Sequence, residues 1–164
     1  GLANANTEFP TGHVIQTSGD SYTRTAGFVI GTGSLHVFGA DLETSLTPKS
    51  TDNYLVTWLT LPGYSNEGTG KSLKVGLRYS TDSFSSSDVT LGPRNNLDEY
   101  IYHNTTTSMQ GPLTWCLWAP VPTTSAIKIR VITQAYNAAI QLFVQAGSTG
   151  NPGVASIVTQ EIKG

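Results

Sequence analysis

The residues whose types could support chemistry are few and widely spaced in this 164-residue sequence. Its three histidines, His13, His36 and His103, form none of the short spacings with which histidines on one strand or helix ligate a metal ion. We therefore predict that the protein binds no metal ion and no cofactor. A site assembled from residues that are distant in the sequence is the alternative that spacing alone leaves open.

Two carboxylate pairs, Asp41 with Glu43 and Asp98 with Glu99, could take part in acid–base catalysis. Asp41 and Glu43 would share one face of a strand about 7 Å apart, and glycosidases separate their carboxylates by similar distances. No GxSxG nucleophile motif occurs in the sequence. We predict that this pair lies on a solvated or interface surface and that the protein is not an enzyme. A hydrolase of surface polysaccharide is the alternative.

The sequence has a single cysteine, Cys116, and therefore forms no disulfide within the chain. Cys116 lies in the apolar run 115–118, with no basic or histidine side chain beside it in the sequence. Free cysteines in such runs usually pack as small apolar side chains. The sequence therefore predicts that Cys116 is buried.

A group of aromatic and polar side chains falls within residues 81–112, the longest stretch without clear periodicity. Long irregular segments are more often functional than idle, and shallow glycan sites stack aromatic rings on sugars beside amide and carboxylate groups. The predicted glycan contacts are Tyr100, Tyr102, His103, Asn95, Asn96 and Asp98. The alternative is that the tyrosines pack this segment against a sheet.

Charged residues make up only 12% of the sequence, and the formal net charge is −2. The nine basic residues are scattered, whereas proteins that bind duplex DNA cluster their cations to displace condensed counterions. No run approaches the roughly 18 apolar residues that a membrane span needs. We therefore predict neither a nucleic-acid partner nor membrane insertion.

Short stretches of alternating apolar and polar residues, separated by turn residues, predict strands throughout the sequence, and none has a helical period. The predicted strands are residues 12–16, 26–30, 34–47, 54–61, 72–80, 113–118, 126–134, 139–146 and 155–164, with a short strand at 100–102 within the irregular stretch. The pair 126–134 and 139–146 is predicted to form a hairpin, and residues 62–70 a loop.

This pattern predicts an all-β protein with one jelly-roll-like antiparallel β-sandwich domain at residues 12–164. Residues 1–11 carry little pattern and are predicted to be an extended N-terminal arm.

The strand predicted at residues 54–61 is apolar on both faces, with leucines on one side and Tyr54, Val56 and Trp58 on the other. In a two-layer sandwich the opposite sheet covers only one face. We expect a loop or another subunit to cover Tyr54, Val56 and Trp58. Association would also protect the sheet edges, which few charged residues guard.

Several segments, taken in order, resemble β-sandwich domains of bacteriophage virion proteins of the tail-fibre, head-fibre or capsid-decoration type, common in phages of cyanobacteria and marine bacteria. One is Leu46-Thr-Pro-Lys-Ser-Thr-Asp-Asn-Tyr-Leu-Val56, in which a strand ends in a Thr-Pro turn and an apolar strand restarts. The others are residues 12–16, 75–80, 122–130 and 155–164. Residues 81–112 and 115–118 depart from the family pattern, so no receptor-binding residue is carried over by position.

The resemblance implies a homotrimeric, non-enzymatic module on the virion surface, and the family shares no catalytic residues. We predict a structural virion protein, a fibre, spike or capsid-decorating module, that contributes to host attachment. Tyr54, Val56 and Trp58 are its predicted trimer contacts. Its predicted partners are further copies of itself, other virion proteins and a host-surface glycan. A carbohydrate-binding module without catalytic activity is the alternative.

Overall fold

The computed structural model describes residues 10–24, 28–30, 35–37, 42–66, 71–86, 88–91, 99–103, 109–135, 140–142 and 153–164. Strands are the only regular secondary structure in these ranges, and there are twelve of them. The predicted all-β class is confirmed. Residues 1–9, most of the predicted N-terminal arm, lie outside the described residues.

The described ranges contain short and long strands. In chain order they are β1 (Val14–Arg24), β2 (Phe28–Ile30), β3 (Leu35–Val37), β4 (Glu43–Leu46), β5 (Tyr54–Asn66), β6 (Lys71–Ser80), β7 (Val89–Leu91), β8 (Glu99–His103), β9 (Met109–Pro120), β10 (Ile127–Ala135), β11 (Ile140–Leu142) and β12 (Gly153–Ile162).

Two antiparallel sheets form the two layers of a β-sandwich, as predicted. In the first sheet β9, β5, β12 and β1 lie side by side, and β11 and β2 continue beside the far end of β5. In the second sheet β10 lies between β6 and the two short strands β3 and β4, and β6 also pairs with β7 and β8. The long strand β5 is therefore paired along both of its edges.

Strands that are distant in the sequence pair in a nested order. β1 pairs with β12, β4 with β10, β5 with β9, and β6 with β7. This order is the one obtained when a long antiparallel hairpin is wound into two layers. Each layer therefore contains strands from both halves of the chain.

One hydrophobic core fills the space between the sheets. The predicted inward residues of β5, which are Leu55, Leu59 and Leu61, are confirmed as buried. The other largest fully buried side chains are Leu42, Leu73, Ile127, Ile129, Ile132 and Ile157. Burial of apolar surface contributes about 25 cal/mol per Å² and is the main stabilising term for such a core.

A chain of threonine hydroxyls crosses the core at one point. The Oγ1 atom of Thr159 on β12 lies 3.0 Å from that of Thr44 on β4 and 3.0 Å from that of Thr57 on β5. All three side chains are buried. Because each hydroxyl has a hydrogen-bonding partner, these polar groups are buried without a large desolvation cost.

Glu161 on β12 is a fully buried carboxylate at one end of the first sheet. Its Oε1 atom accepts hydrogen bonds from the backbone N–H of Lys49 at 2.8 Å and from the side-chain amide of Asn53 at 2.6 Å. Its Oε2 atom accepts a hydrogen bond from Nε2 of Gln16 on β1 at 2.5 Å. The carboxylate thus joins β1, β12 and the turn between β4 and β5.

Asn53 extends this network to two further segments. Its carbonyl accepts a hydrogen bond from the backbone N–H of Val121 at 3.0 Å, just beyond β9. Its Oδ1 atom accepts one from the backbone N–H of Gly164 at 3.2 Å. The start of β5 is therefore held by the segments that follow β9 and β12.

The predicted hairpin of residues 126–134 and 139–146 is wrong. β10 pairs with β3, β4 and β6 in the second sheet, whereas β11 pairs with β2 and β5 in the first. Both segments have alternating apolar residues, as the prediction required. Alternation, however, does not distinguish consecutive strands in one sheet from consecutive strands on opposite sides of a core.

The loop predicted at residues 62–70 is partly wrong, because β5 continues to Asn66. The register between β5 and β9 shifts between Leu61 and Tyr64, which places Pro62 and Gly63 at a bulge. A bulge allows a strand to continue past a proline and a glycine that would otherwise interrupt its ladder. Residues 81–112 likewise contain β7, β8 and the beginning of β9.

We expect the substitution Glu161→Gln to lower the free energy of unfolding by about 3 kcal/mol. The side-chain nitrogen of glutamine is a hydrogen-bond donor, and it would face the donors that now bond to one oxygen of the Glu161 carboxylate. Chemical denaturation at one fixed protein concentration measures this change. The control is Asp52→Asn, an exposed carboxylate in the same turn, for which a change of less than about 0.5 kcal/mol is expected. Equal stability of Glu161→Gln and the unmodified chain would contradict the assigned role.

Candidate functional site

Part of the side of the first sheet that faces away from the core is apolar. Three rows of side chains cross β9, β5 and β12 on this side, as the strand register shows. The rows are Pro120, Tyr54 and Ile162; Trp118, Val56 and Gln160; and Cys116, Trp58 and Val158. These nine residues are called the outer face below, and none of them carries a charge.

Aromatic rings dominate the outer face. Tyr54 is 43% exposed, Trp58 39% and Trp118 56%, so all three residues remain accessible to solvent. The rings of Tyr54 and Trp118 are in edge-to-face contact, with centroids 5.8 Å apart and planes at 65°. The structure therefore places Tyr54, Val56 and Trp58 together on one accessible surface and adds Trp118 to them.

The prediction that Cys116 is buried is wrong, because its side chain is exposed. On β9 the buried positions are taken by Trp115 and Leu117, which leaves Cys116 and Trp118 on the outer face. Alternation within 115–118 separates Cys116 and Trp118 from Trp115 and Leu117, but both pairs are apolar, so it does not show which pair faces the core. The pairing of β9 with β5 places Trp115 and Leu117 on the side of the sheet that faces the core.

The two long edges of the first sheet differ. At the β1 edge, side chains of β1 bond to the backbone of β4: Asp20 Oδ2 accepts from the N–H of Glu43 at 3.3 Å, and Ser18 Oγ from the N–H of Ser45 at 3.3 Å. At the opposite edge, no strand of the described residues lies beyond β9. One edge is thus covered by the second sheet, and the other has no strand beyond it within those ranges.

Glu43, a member of a predicted carboxylate pair, is held by two cations. Its Oε2 atom lies 2.6 Å from Nε of Arg130, and its Oε1 atom lies 2.9 Å from Nζ of Lys128. The guanidinium of Arg130 also stacks 4.1 Å above the ring of Phe84. Asp41 and Asp98 lie outside the described residues, and Glu99 is in β8. The carboxylate of Glu43 is therefore engaged in two ion pairs that link β4 to β10.

An open pocket of about 310 Å³ lies beside this ion-pair cluster at the end of the second sheet. Its polar lining includes Ser45, Thr47, Ser80, Ser83 and Lys128. Hydroxyl groups of this kind can hydrogen-bond a polar ligand. The one cation among these residues, Lys128, is already paired with Glu43.

The predicted glycan contacts fall into two groups. Asn95, Asn96 and Asp98 lie outside the described residues. The backbone of β8 carries Tyr100, Tyr102 and His103 and pairs with β6 in the second sheet. These residues therefore lie in the sheet opposite the one that bears the outer face, and their role in glycan binding stays a prediction.

Within the described ranges, no group of three or more His, Cys, Asp or Glu side chains could hold a metal ion. No helix in those ranges is long and apolar enough to cross a membrane.

Comparison with known proteins identifies no family. No protein-family model and no curated protein matches the sequence. A structure of the Bacillus endospore appendages that form disulfide-linked pili is similar to this chain at 9% identity and a TM-score of 0.29, covering 98% of this chain and 100% of the other.

Two further structures are similar at the same level. One is from infectious bursal disease virus, Gx strain, with 10% identity and a TM-score of 0.37, covering 92% of this chain and 41% of the other. The second is the CBM22-1 xylan-binding domain of Paenibacillus barcinonensis Xyn10C, with 11% identity and a TM-score of 0.26, covering 96% and 99%. Likenesses at these TM-scores carry no inference about function.

We expect Glu43→Gln to lower the free energy of unfolding by about 1–2 kcal/mol, because Arg130 and Lys128 would both lose a charged partner. Chemical denaturation measures the change. In the control Asp88→Asn, an exposed carboxylate 3.8 Å from Nε of Arg78 is neutralised, and we expect less than about 0.5 kcal/mol. If both variants were equally stable, Glu43 would not have the structural role assigned to it.

Proposed function

We propose that this chain is a structural module of a virion surface, such as a fibre, a spike or a capsid-decorating protein, and that it assembles as a homotrimer through its outer face. The outer face is the observation that carries the proposal. Tyr54, Trp58 and Trp118 form an accessible aromatic surface on a rigid, doubly paired sheet.

The composition of the outer face is that of a protein interface. Interface centres are depleted in charged residues and enriched in tryptophan and tyrosine, which also supply most of the binding energy. Large contiguous apolar surfaces are uncommon on soluble monomers. A second copy that covered Trp58 and Trp118 would remove their exposed apolar surface from water, which favours association.

The strand order supports a jelly roll as the architecture of this proposed module. A jelly roll has two sheets of four strands, and it is an architecture of viral capsid and lectin domains. Here the order β9, β5, β12, β1 faces the order β4, β10, β6, β7, with nested pairing between them. Architecture alone does not define function, so it accompanies the outer face as secondary support.

The resemblance to bacteriophage virion proteins supports the same proposal. The segment at residues 46–56 lies where β4 ends, the turn bonds Glu161, and β5 begins. A module of this kind needs no catalytic residue and no cofactor. Its partners would be further copies of itself, other virion proteins and a host-surface glycan, with Tyr100 and Tyr102 as the predicted glycan contacts.

We expect the native protein to have a mass of three copies, or a multiple of three, and Trp58→Asp to abolish the threefold association. A carboxylate at this position would have to be desolvated in the interface. Light scattering after size-exclusion chromatography measures the mass, and far-UV circular dichroism checks that strand content is unchanged.

The matched control is Val89→Asp, which places the same charge at an exposed apolar position on β7 in the second sheet. We expect this variant to keep the native mass. A native chain whose mass is that of a single copy would overturn the proposal. So would a Trp58→Asp variant that retained the threefold mass.

A further inference from the structure

The edge of β9 that points away from β5 presents backbone N–H and carbonyl groups of particular residues. These residues are called outward residues below, because their backbone groups, and not their side chains, point away from β5. The backbone N–H of Val121 donates to the carbonyl of Asn53 at 3.0 Å, so this pair is hydrogen-bonded. Hydrogen-bonded and non-hydrogen-bonded pairs alternate along an antiparallel ladder. In the register of β5 and β9, the backbone N–H and carbonyl groups of Trp115 and Leu117 therefore hydrogen-bond to β5. The N–H and carbonyl groups of the intervening residues point away from it.

These outward residues are Thr114, Cys116 and Trp118. Pro112 and Pro120 belong to the same alternate set and have no N–H group, which fits the rule that proline in a sheet occupies outward positions of edge strands. The two prolines stand at equal distances from Cys116 on either side. They bound a window in which the three outward residues can form a ladder with another strand.

We propose that β9 pairs with β9 of a second copy of this chain, antiparallel, about a two-fold axis that passes beside Cys116. Cys116 then lies opposite Cys116 of the second copy, and Thr114 lies opposite its Trp118. Each outward N–H in the window gains a carbonyl acceptor. The first sheets of the two copies become one continuous sheet, an arrangement known as β-augmentation.

Charge favours a second copy as the occupant. No Asp, Glu, Lys or Arg occurs between Met109 and Pro120, so two identical strands placed side by side bring no like charges together. Natural edge strands usually carry such charges to prevent this pairing. Side chains of β1 already bond to the backbone of β4, whereas no described strand lies beyond β9, so β9 is the long edge of this sheet at which a further strand can pair.

Side-chain size also suits pairing with a second copy. Under the two-fold axis the large ring of Trp118 meets the small side chain of Thr114 at both ends of the window, and two tryptophans never oppose each other directly. Trp118 is 56% exposed in the single chain, and it would be covered from the side by the neighbouring copy. The contact thus buries apolar surface in addition to satisfying backbone groups.

This edge contact is independent of the proposed trimer contact. A two-fold axis that joins two strands of one sheet is perpendicular to that sheet, so both outer faces remain on the same side and accessible. The trimer contact uses side chains of the outer face, whereas the edge contact rests on backbone groups of β9 and adds a lateral contact of Trp118. Either contact could therefore fail experimentally while the other is retained.

The test uses Cys116, the single cysteine, as the reporter. We expect a short bifunctional maleimide to join native chains in pairs through Cys116, as seen by mass spectrometry. Thr114→Pro removes one outward N–H from each copy and leaves the bonds to β5 unchanged. We expect it to weaken pairing roughly tenfold or more. The matched control Thr114→Val keeps the N–H group and the side-chain shape, and we expect normal pairing.

The same measurements in the Trp58→Asp background separate the two contacts. We expect that variant to form pairs that Thr114→Pro disrupts. Cys116 belongs to the outer face, so the decisive yields are those in the Trp58→Asp background, in which the proposed trimer contact is absent. No crosslinked pairs in that background would overturn the inference, and so would equal yields from its Thr114→Pro and Thr114→Val chains.

Hydrogen exchange of the native chain provides a measurement that needs no substitution. The amides of Thr114, Cys116 and Trp118 are expected to become protected as protein concentration rises, whereas rapid exchange at every concentration would refute the pairing.

Discussion

The double pairing of β5 is the constraint on which the rest of the structure depends. β12 and β11 on one side and β9 on the other satisfy its backbone, so its side chains alone decide what each face of the first sheet does. Leu55, Leu59 and Leu61 direct one face into the core. Tyr54 and Trp58 leave an aromatic surface on the other. Core and candidate interface are therefore opposite faces of the same strand.

The few charged groups of the sandwich are used in two different ways. Glu161 is fully buried and is stabilised by backbone and amide donors, with no cation among the partners described for it. Glu43 is close to the surface and pairs with Arg130 and Lys128. Directional hydrogen bonds suit the interior because they fix several segments at once, whereas ion pairs near water contribute less to stability. Glu161 therefore fixes several segments through hydrogen bonds inside the sandwich, and Glu43 links two strands through ion pairs near its surface.

The sequence allowed the class of fold and the inward face of several strands to be predicted. Alternation placed Leu55 and Leu59 on the face of β5 opposite Tyr54 and Trp58, and both leucines are buried, because successive side chains of a strand point to opposite faces. Alternation does not determine which strands are neighbours, so the hairpin of β10 and β11 was predicted wrongly. Neighbours are decided by the packing of the whole chain.

The candidate site was predicted in part for the same reason. Tyr54, Val56 and Trp58 share one strand, and their common face follows from spacing alone. Trp118 and Cys116 join them only because β9 lies beside β5 in one particular register. A strand such as 115–118, apolar on both sides, gives no local signal for which side faces water. The contribution of β9 to the outer face was therefore visible only in the structure.

The nested pairing order has a consequence for how the protein comes to be made. β12 lies between β5 and β1, although both of those strands leave the ribosome long before it. The first sheet therefore stays divided until translation has reached β12, and non-local pairing of this kind slows folding. During that interval one edge of β5 lacks its neighbour β12, and unpaired strand edges of this kind are prone to aggregation.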